Sequence, residues 1–245
     1  MAKFLKYFLV ILIFNPSLCF AVNNSLFLDL TKVSEESIHS INPITLDSNG
    51  DKIILDTLFI SEKVSLDKPN EKNESRRMLK TKIKSYIARN RELIKKINSG
   101  EIVIPDDDLK FDTKRDLINN QRFLESSYED FTENKIESNI NYYLTKVNDE
   151  NVIISRTEID EDLSDVNTLE VDLVMSNPDN ILKNRLNLQG AVKRASVDNI
   201  RSIIRDIRTN NTTIKRVTAY VISPILESNY RRMGFEIDYC SWINI

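Results

Sequence analysis

The spacing of apolar residues changes period along this chain, and that change constrains the fold more than any other feature. Apolar residues recur at helical spacing over 74–98 and again over 113–133. From 142 onward the pattern is extended, with a hairpin over 142–157 and a strand over 169–175. Two long amphipathic helices followed by several strands predict a mixed α/β protein.

The last third of the sequence predicts a regular alternation of helices and strands. Ser196 is expected to cap a helix whose apolar positions all fall on one side. A strand over 214–222 follows, then a short helix over 225–233 that Gly234 ends. The chain is expected to return as a strand over 235–237.

The first half of the sequence gives shorter signals. We expect a strand or strand pair over 52–60 and a linker over 67–74. A short strand is predicted over 102–104, followed by a turn over 106–108, with a helix cap at Thr113. The role of residues 24–110 stays open, since they either complete one sheet with the rest or form a small separate unit.

The amino-terminal residues have the order of a secretory signal. Lys3 and Lys6 precede an apolar run over 8–14, and the small residue Ala21 offers a cleavage point. The run is far shorter than the ~20 apolar residues that cross a bilayer. We therefore expect a signal peptide over 1–21, a secreted or periplasmic protein and no stable membrane span after cleavage.

Two residue counts limit the chemistry. His39 is the single histidine, and Cys240 is the one cysteine left after the predicted cleavage. A zinc site with the usual ligands or a histidine-based catalytic triad cannot readily be built from these residues, so we expect no metal. The net charge of -3 gives no reason to expect a nucleic-acid partner.

Basic residues crowd the outer faces of two predicted helices. In the helix over 74–98 they indicate either an anionic partner or a solvated surface, and we favour the solvated surface. In the helix that begins near Ser196, we expect Arg201, Arg205 and Arg208 to form a stripe that faces solvent.

Two segments resemble motifs of a known superfamily. The sequence Asn-Tyr-Arg-Arg-Met-Gly-Phe-Glu over 229–236 resembles the Leu-Tyr-x-x-x-Gly-Phe-x signature of GNAT-type N-acetyltransferases. The segment 169–179 resembles that superfamily's fourth strand and the loop after it. The resemblance implies a mixed, mostly antiparallel central sheet flanked by helices. It divides the chain into a signal peptide (1–21), an N-terminal helical and strand extension (22–110) and an acetyltransferase-like domain (111–245).

The resemblance also implies a site for acetyl-CoA as cosubstrate. Tyr230 would protonate the departing thiolate, and Glu170 or Asp172 would accept a proton from an amine. The pantetheine arm would pair with backbone at Val174 and Met175, where two strands diverge. The pyrophosphate would lie on the loop and helix start that include Gln189, Gly190, Ala191, Lys193, Arg194, Ala195 and Ser196.

Three functions follow as alternatives. The first is an exported acetyltransferase that acts on an unknown amine acceptor; because acetyl-CoA is intracellular, it would work inside another cell, on a protein there. The second is a catalytically inactive binding module with the same fold. The third is an extracytoplasmic interaction protein that uses the helix over 74–98 as its working surface.

Overall fold

The computed structural model describes residues 24–64, 66, 69–132, 139–160, 167–221 and 224–237. The predicted signal peptide lies outside these residues, as does Cys240. Within them, no helix is both long and apolar enough to span a membrane.

The described residues form nine strands and five α-helices. The strands are β1 (Asn24–Asp29), β2 (Ile44–Leu46), β3 (Lys52–Ile54), β4 (Ile60–Val64), β5 (Ile140–Val147), β6 (Glu150–Asp160), β7 (Thr168–Ser176), β8 (Arg216–Val221) and β9 (Glu236–Ile237). The helices are α1 (Pro69–Ser99), α2 (Asp107–Thr132), α3 (Pro178–Arg185), α4 (Ala195–Asn210) and α5 (Pro224–Arg232). Two short 3-10 turns, Leu30–Lys32 and Glu36–Ile38, follow β1.

Seven of the strands form one sheet in the order β4-β5-β6-β7-β8-β1-β9. All neighbouring pairs are antiparallel except β7 and β8, which run parallel. β2 and β3 form a separate hairpin. The predicted fold class, a mixed and mostly antiparallel sheet flanked by helices, is therefore confirmed, and it is compatible with a GNAT-like arrangement.

The sheet takes strands from both sides of the predicted boundary at residue 110. β1 pairs along its whole length with β8, and β4 forms the opposite edge beside β5. Residues 24–110 therefore contribute strands that complete the main sheet, which is the first of the two roles left open by the sequence.

The two faces of the sheet carry different helices. Tyr142 and Tyr143 are neighbours on β5, so their side chains point to opposite faces. Tyr142 packs in a buried cluster with Leu79 of α1 and Leu124 of α2. Tyr143 packs in a second cluster with residues of α4, including Ile203. The helices α1 and α2 thus cover one face, and α4 covers the other.

The chain between β1 and β2 crosses the outer side of α4, and we call residues 30–43 the strap. Arg201 donates a hydrogen bond to the backbone carbonyl of His39 at 3.1 Å, and Arg208 donates to that of Val33 at 3.0 Å. Arg205 donates to the carbonyl of Ile38. The expected solvent-facing stripe was wrong, because these three half-buried arginines hold the strap.

Several predicted boundaries differ from those observed. The segment 102–104 forms no strand. Asp106 accepts a hydrogen bond from the Leu109 amide at 2.6 Å, so α2 begins at Asp107 within the predicted turn, not at Thr113. The predicted linker is partly helical because α1 begins at Pro69.

The start of α4 and the segment after β7 also differ from expectation. The residue before α4 is Arg194, two positions before the predicted cap Ser196, and its side chain makes no capping hydrogen bond. The sequence analysis missed α3, although Asn177 caps this helix and Pro178 is its first residue.

Two asparagines lie fully or almost fully buried under the helical layer, in contrasting environments. On α2, the Asn120 carboxamide accepts a hydrogen bond from the Ser176 amide at 2.7 Å and donates one to the Ser176 carbonyl at 2.9 Å. On α1, both polar side-chain atoms of Asn90 lack a hydrogen-bond partner among the described residues. An unpaired buried amide costs stability, whereas a paired one contributes to it.

Replacing these two asparagines by leucine should therefore have opposite effects. We expect Asn90→Leu to raise the free energy of unfolding by about 1 to 3 kcal/mol, because it removes unpaired polar atoms. Asn120→Leu should lower it by a similar amount. Urea unfolding monitored by circular dichroism measures both. A loss of stability in Asn90→Leu would contradict the assignment and indicate that its amide is hydrogen bonded in solution.

Candidate functional site

The parallel strands β7 and β8 pair over only part of their length. Their register runs from Thr168 opposite Arg216 to Val171 opposite Ala219. β7 then continues to Ser176 and β8 to Val221 without further pairing between them. Close to the point where β7 leaves β8, the register between β6 and β7 shifts at Asp172, as it does at a β-bulge. We call the space beyond Val171 and Ala219 the gap.

The open side of β7 presents backbone groups to the gap. The Asn177 amide donates to the Val152 carbonyl on β6 at 3.0 Å, whereas the Ser176 amide donates to Asn120. Because alternate residues of a strand direct their backbone groups to opposite sides, those of Val174 point the same way as those of Ser176. The backbone of Met175 is directed to β6. Of the two predicted pantetheine contacts, Val174 therefore has the backbone orientation that the contact requires.

The side chains at the gap are apolar. Val174 is partly buried and packs against the cluster under α4 and against a smaller cluster that contains Phe59 and Ile153. The side chain of Met175 is fully buried on the other face, under α1 and α2. The wall that β7 contributes to the gap thus combines apolar side chains with directed backbone groups.

The loop between α3 and α4 has less free backbone than the resemblance implied. Its amides at Gly190 and Lys193 donate to the carbonyls of Leu46 and Ile44 on β2, at 2.9 and 2.8 Å. The Ala191 amide donates to the Leu188 carbonyl at 3.1 Å. Gln189 and Gly190 are exposed. The β2–β3 hairpin therefore occupies two of the seven amides predicted to receive a pyrophosphate, and the loop itself occupies a third.

Free amides remain at the first turn of α4. Among the described residues, no acceptor is assigned to the amides of Ala195, Ser196 and Val197. Such amides at a helix start favour an anion. Arg194 precedes them, exposed and in the left-handed conformation, with φ of 71°.

Further positive charge lies around the same loop. The Lys183 ammonium is 3.8 Å from where a Cβ on Gly190 would lie. The Lys193 ammonium is 3.4 Å from Oδ1 of Asn187. With Arg194, these residues make the end of the gap next to α4 electropositive.

Tyr230, the predicted acid, lies in the apolar core. Its side chain is 3% exposed and stacks on Phe235 with the ring centroids 5.2 Å apart. It belongs to the same cluster that Val174 borders. Burial raises the pKa of Tyr230 well above its usual value, so its phenol keeps its proton at neutral pH.

The predicted bases lie in a charged cluster on the opposite face. Arg156 forms ion pairs with Asp172, Asp130 and Glu158. Burial raises the pKa of Asp172, while the neighbouring Arg156 guanidinium opposes this shift. Glu170 is half-buried opposite Glu158 in the β6–β7 ladder. The carboxylate of Asp172 therefore forms an ion pair with Arg156 instead of being directed only to the gap.

A buried polar network that the sequence analysis missed supports the start of α4. Asp198, in the first turns of this helix, accepts hydrogen bonds from the Ile41 amide and the Ser61 hydroxyl, both at 3.1 Å. Ser61 and Thr145 share a hydrogen bond of 2.7 Å, and Asn199 donates to Thr145 at 2.9 Å. The network joins the strap and the edge strand β4 to α4, next to the free amides.

Weak signals for some of these residues were present in the sequence. Asn120 lies between Leu117 and Leu124 at helical spacing, and a polar residue on an apolar face needs a partner. Asp198 follows Ala195 at the same spacing of three residues. Their partners are distant in sequence, so the periodicity alone did not identify them.

Neither protein-family models nor curated proteins yield a match to this chain.

Replacing Asp198 by asparagine should stabilise the protein increasingly as the pH rises. Burial raises the pKa of Asp198 in the folded state, although the Ile41 and Ser61 hydrogen bonds oppose this shift. The folded protein therefore pays a penalty for ionising the carboxyl as the pH rises from about 4, the usual aspartate value. An asparagine keeps both contacts, since its oxygen accepts from Ile41 and its amide donates to Ser61.

Urea unfolding of both proteins between acidic and neutral pH measures the stability difference. We expect the difference to be smallest at the acidic end and to grow with pH until it reaches a plateau. A difference that is independent of pH would exclude Asp198 as a destabilising ionised group.

Proposed function

We propose that this chain is an exported acetyltransferase-like protein that binds acetyl-CoA between β7 and β8. The proposal combines the predicted signal peptide, the two segments that resemble GNAT-type acetyltransferases and the geometry of the gap. The observation that carries it is the early end of the parallel pairing at Val171 and Ala219.

The gap supplies what a pantetheine arm needs. That arm has amide groups joined by short apolar segments, so it pairs with an open strand as a peptide does. Val174 offers a backbone donor and acceptor on the gap side, and its side chain adds apolar contact. Asn120 satisfies the next gap-facing residue, Ser176, which limits the pairing on β7 to a short stretch.

The start of α4 supports binding of the phosphates. The free amides of Ala195 and Ser196 and the charge of Arg194 provide donors for an anion, with Lys193 and Lys183 beside them. Since β2 already occupies the amides of Gly190 and Lys193, we assign the pyrophosphate to the helix start rather than to the loop.

Transfer of the acetyl group to an amine would use the remaining predicted residues. Tyr230 lies in the cluster that Val174 borders, and its raised pKa keeps the proton that the thiolate would receive. Such a pKa makes the phenol a weak acid, however, and its side chain is covered. The base would be Glu170 or Asp172, as the resemblance implies, and Asp172 is engaged by Arg156.

The burial of Tyr230 favours a second candidate function, a binding module that holds an acyl-CoA without transferring the group. Both candidates require the cofactor, so export implies work inside another cell, where acetyl-CoA is present. They differ in whether a bound acetyl group reaches an amine.

Acetyl-CoA binding should depend on the charge of Arg194. We expect the protein to gain thermal stability saturably with acetyl-CoA. Arg194→Asn removes the charge while keeping a residue that tolerates the left-handed conformation. It should weaken binding roughly tenfold, as expected for loss of one hydrogen bond to a charged group.

The control for this titration is Arg232→Asn, which removes an exposed arginine from α5 and should leave the affinity unchanged. Pantetheine without phosphates should bind both variants and the wild type equally. No stabilisation of the wild type at millimolar acetyl-CoA would exclude the proposed function.

The Tyr230→Phe variant separates transfer from binding. If the protein is a transferase, this variant should release CoA from acetyl-CoA and an amine peptide at least tenfold more slowly, with unchanged cofactor affinity. Release of the CoA thiol is measured with a thiol reagent. An equal rate in both proteins would reject Tyr230 as the acid, and binding with no amine-dependent release in the wild type would favour the binding module.

A further inference from the structure

Helix α1 concentrates the positive charge of the chain. Residues 74–98 contain nine lysines and arginines and two glutamates, a net charge of +7. The whole chain has a formal net charge of -3, which leaves -10 for the rest of the chain. The proposed acyl-CoA site uses none of these basic residues.

Four basic residues on the flanks of α1 are engaged within the protein. Arg89 pairs with Asp179 at 2.7 Å, and Lys96 pairs with Glu92 at 3.0 Å. Lys80 lies over the ring of Tyr128, with its ammonium 5.4 Å from the ring centroid. Lys82 lies over the ring of Tyr86 in the same way. These contacts direct the flanking cations toward the protein.

Four other cations form a single line along the outer face, and we call them the basic row: Arg77, Lys84, Arg91 and Lys95. All four are exposed, and they recur every seven or four residues on the side opposite the buried residues of α1. Arg91 also pairs with Glu125. No ion pair within the described residues involves the other three. With a rise of 1.5 Å per residue, the row extends over about 27 Å.

The residues between these cations are small or flexible. Thr81, Ser85 and Ala88 are exposed and do not reach as far as lysine or arginine. Met78 is the exposed large apolar side chain on this face, at 42%. The charged ends of the basic row are therefore the first groups that an approaching surface would meet.

We propose that the basic row docks this protein on an anionic lipid bilayer. A planar surface of phosphate head groups can contact all four cations of a straight row at once. Each lysine or arginine near such a surface contributes attraction that adds to that of its neighbours. The excess negative charge of the rest of the chain is repelled by the same surface, which orients α1 toward the lipid.

The same observations disfavour a nucleic acid or a protein as the partner of the basic row. A nucleic-acid duplex would meet the helix with phosphates on both of its sides, where Glu92, Glu125 and Asp179 lie instead of free cations. A protein partner normally buries an apolar centre, and among the described side chains of this face Met78 is the one large apolar group that is exposed. Electrostatic adsorption to lipid needs no such centre.

Sedimentation of the full chain with vesicles tests this proposal. The vesicles contain phosphatidylcholine alone or phosphatidylcholine with phosphatidylglycerol. Residues 1–21 include an apolar run and two lysines. The readout is therefore the ratio of the two partition coefficients in each variant relative to that in the wild type, because the contribution of this segment is the same in all of them. The wild type should prefer the anionic vesicles, and this preference should fall with added salt.

Two matched variants test whether the basic row causes the preference for anionic vesicles. Arg77→Gln, Lys84→Gln and Lys95→Gln together keep good helix formers and leave the Arg91–Glu125 pair intact. This triple variant should lose about a hundredfold of the preference, roughly fivefold for each cation. Lys52→Gln, Lys215→Gln and Arg232→Gln together change the net charge equally at other exposed positions and should lose far less.

Three results would overturn the proposal: no preference of the wild type for anionic vesicles, an equal loss in both triple variants, or tighter binding to duplex DNA than to the vesicles. Circular dichroism spectra that coincide with the wild type confirm that each variant is folded. The acetyl-CoA titration is independent of this test, because the basic row and the gap share no residue.

Discussion

The pairing of β1 with β8 is the interaction on which the described structure depends most. β1 comes from the amino-terminal end of the described chain, yet it lies between β8 and β9 in the sheet. Its backbone supplies hydrogen bonds that β8 would otherwise lack on that side and gives β9 its partner. The strap begins where β1 ends, so the arginines of α4 have a backbone to hold only when β1 is in place.

The strap and the hairpin after it shape the candidate site from outside. They bring the Ile41 amide to Asp198 and the β2 carbonyls to the loop before α4. The same hydrogen bonds that order this loop also occupy amides that an anion would otherwise use. The phosphate site that we propose therefore uses the first amides of α4, which have no hydrogen-bond acceptor among the described residues.

The gap and the basic row illustrate two ways in which this protein leaves groups available. At the gap, β7 and β8 stop pairing next to the irregularity of the β6–β7 ladder at Asp172, and the side chain of Asn120 pairs with the end of the open edge. On α1, ion pairs and contacts with tyrosine rings engage four flanking cations, while the basic row faces solvent. The gap leaves backbone groups, and the basic row leaves charged side chains, available to a ligand. Each feature therefore supports a proposal about binding.

The sequence by itself determined the element types and the fold class, because hydrophobic periodicity reflects which face of each helix or strand is buried. It placed α1, the β5–β6 hairpin, β7, α4 and α5 close to their observed positions. It misjudged helix starts at Asp107 and Ala195, where a cap rather than periodicity sets the boundary. It also missed α3, whose eight residues carry little periodic signal.

Only the tertiary structure decided which groups meet. Three features join residues more than a hundred positions apart: the position of β1 in the sheet, the strap bound by Arg201 and Arg208, and the Asp198 network. The pairing of Asp172 with Arg156 was equally invisible in the sequence. The physical reason is that periodicity identifies a buried face, whereas the partner across that face depends on how the whole chain folds.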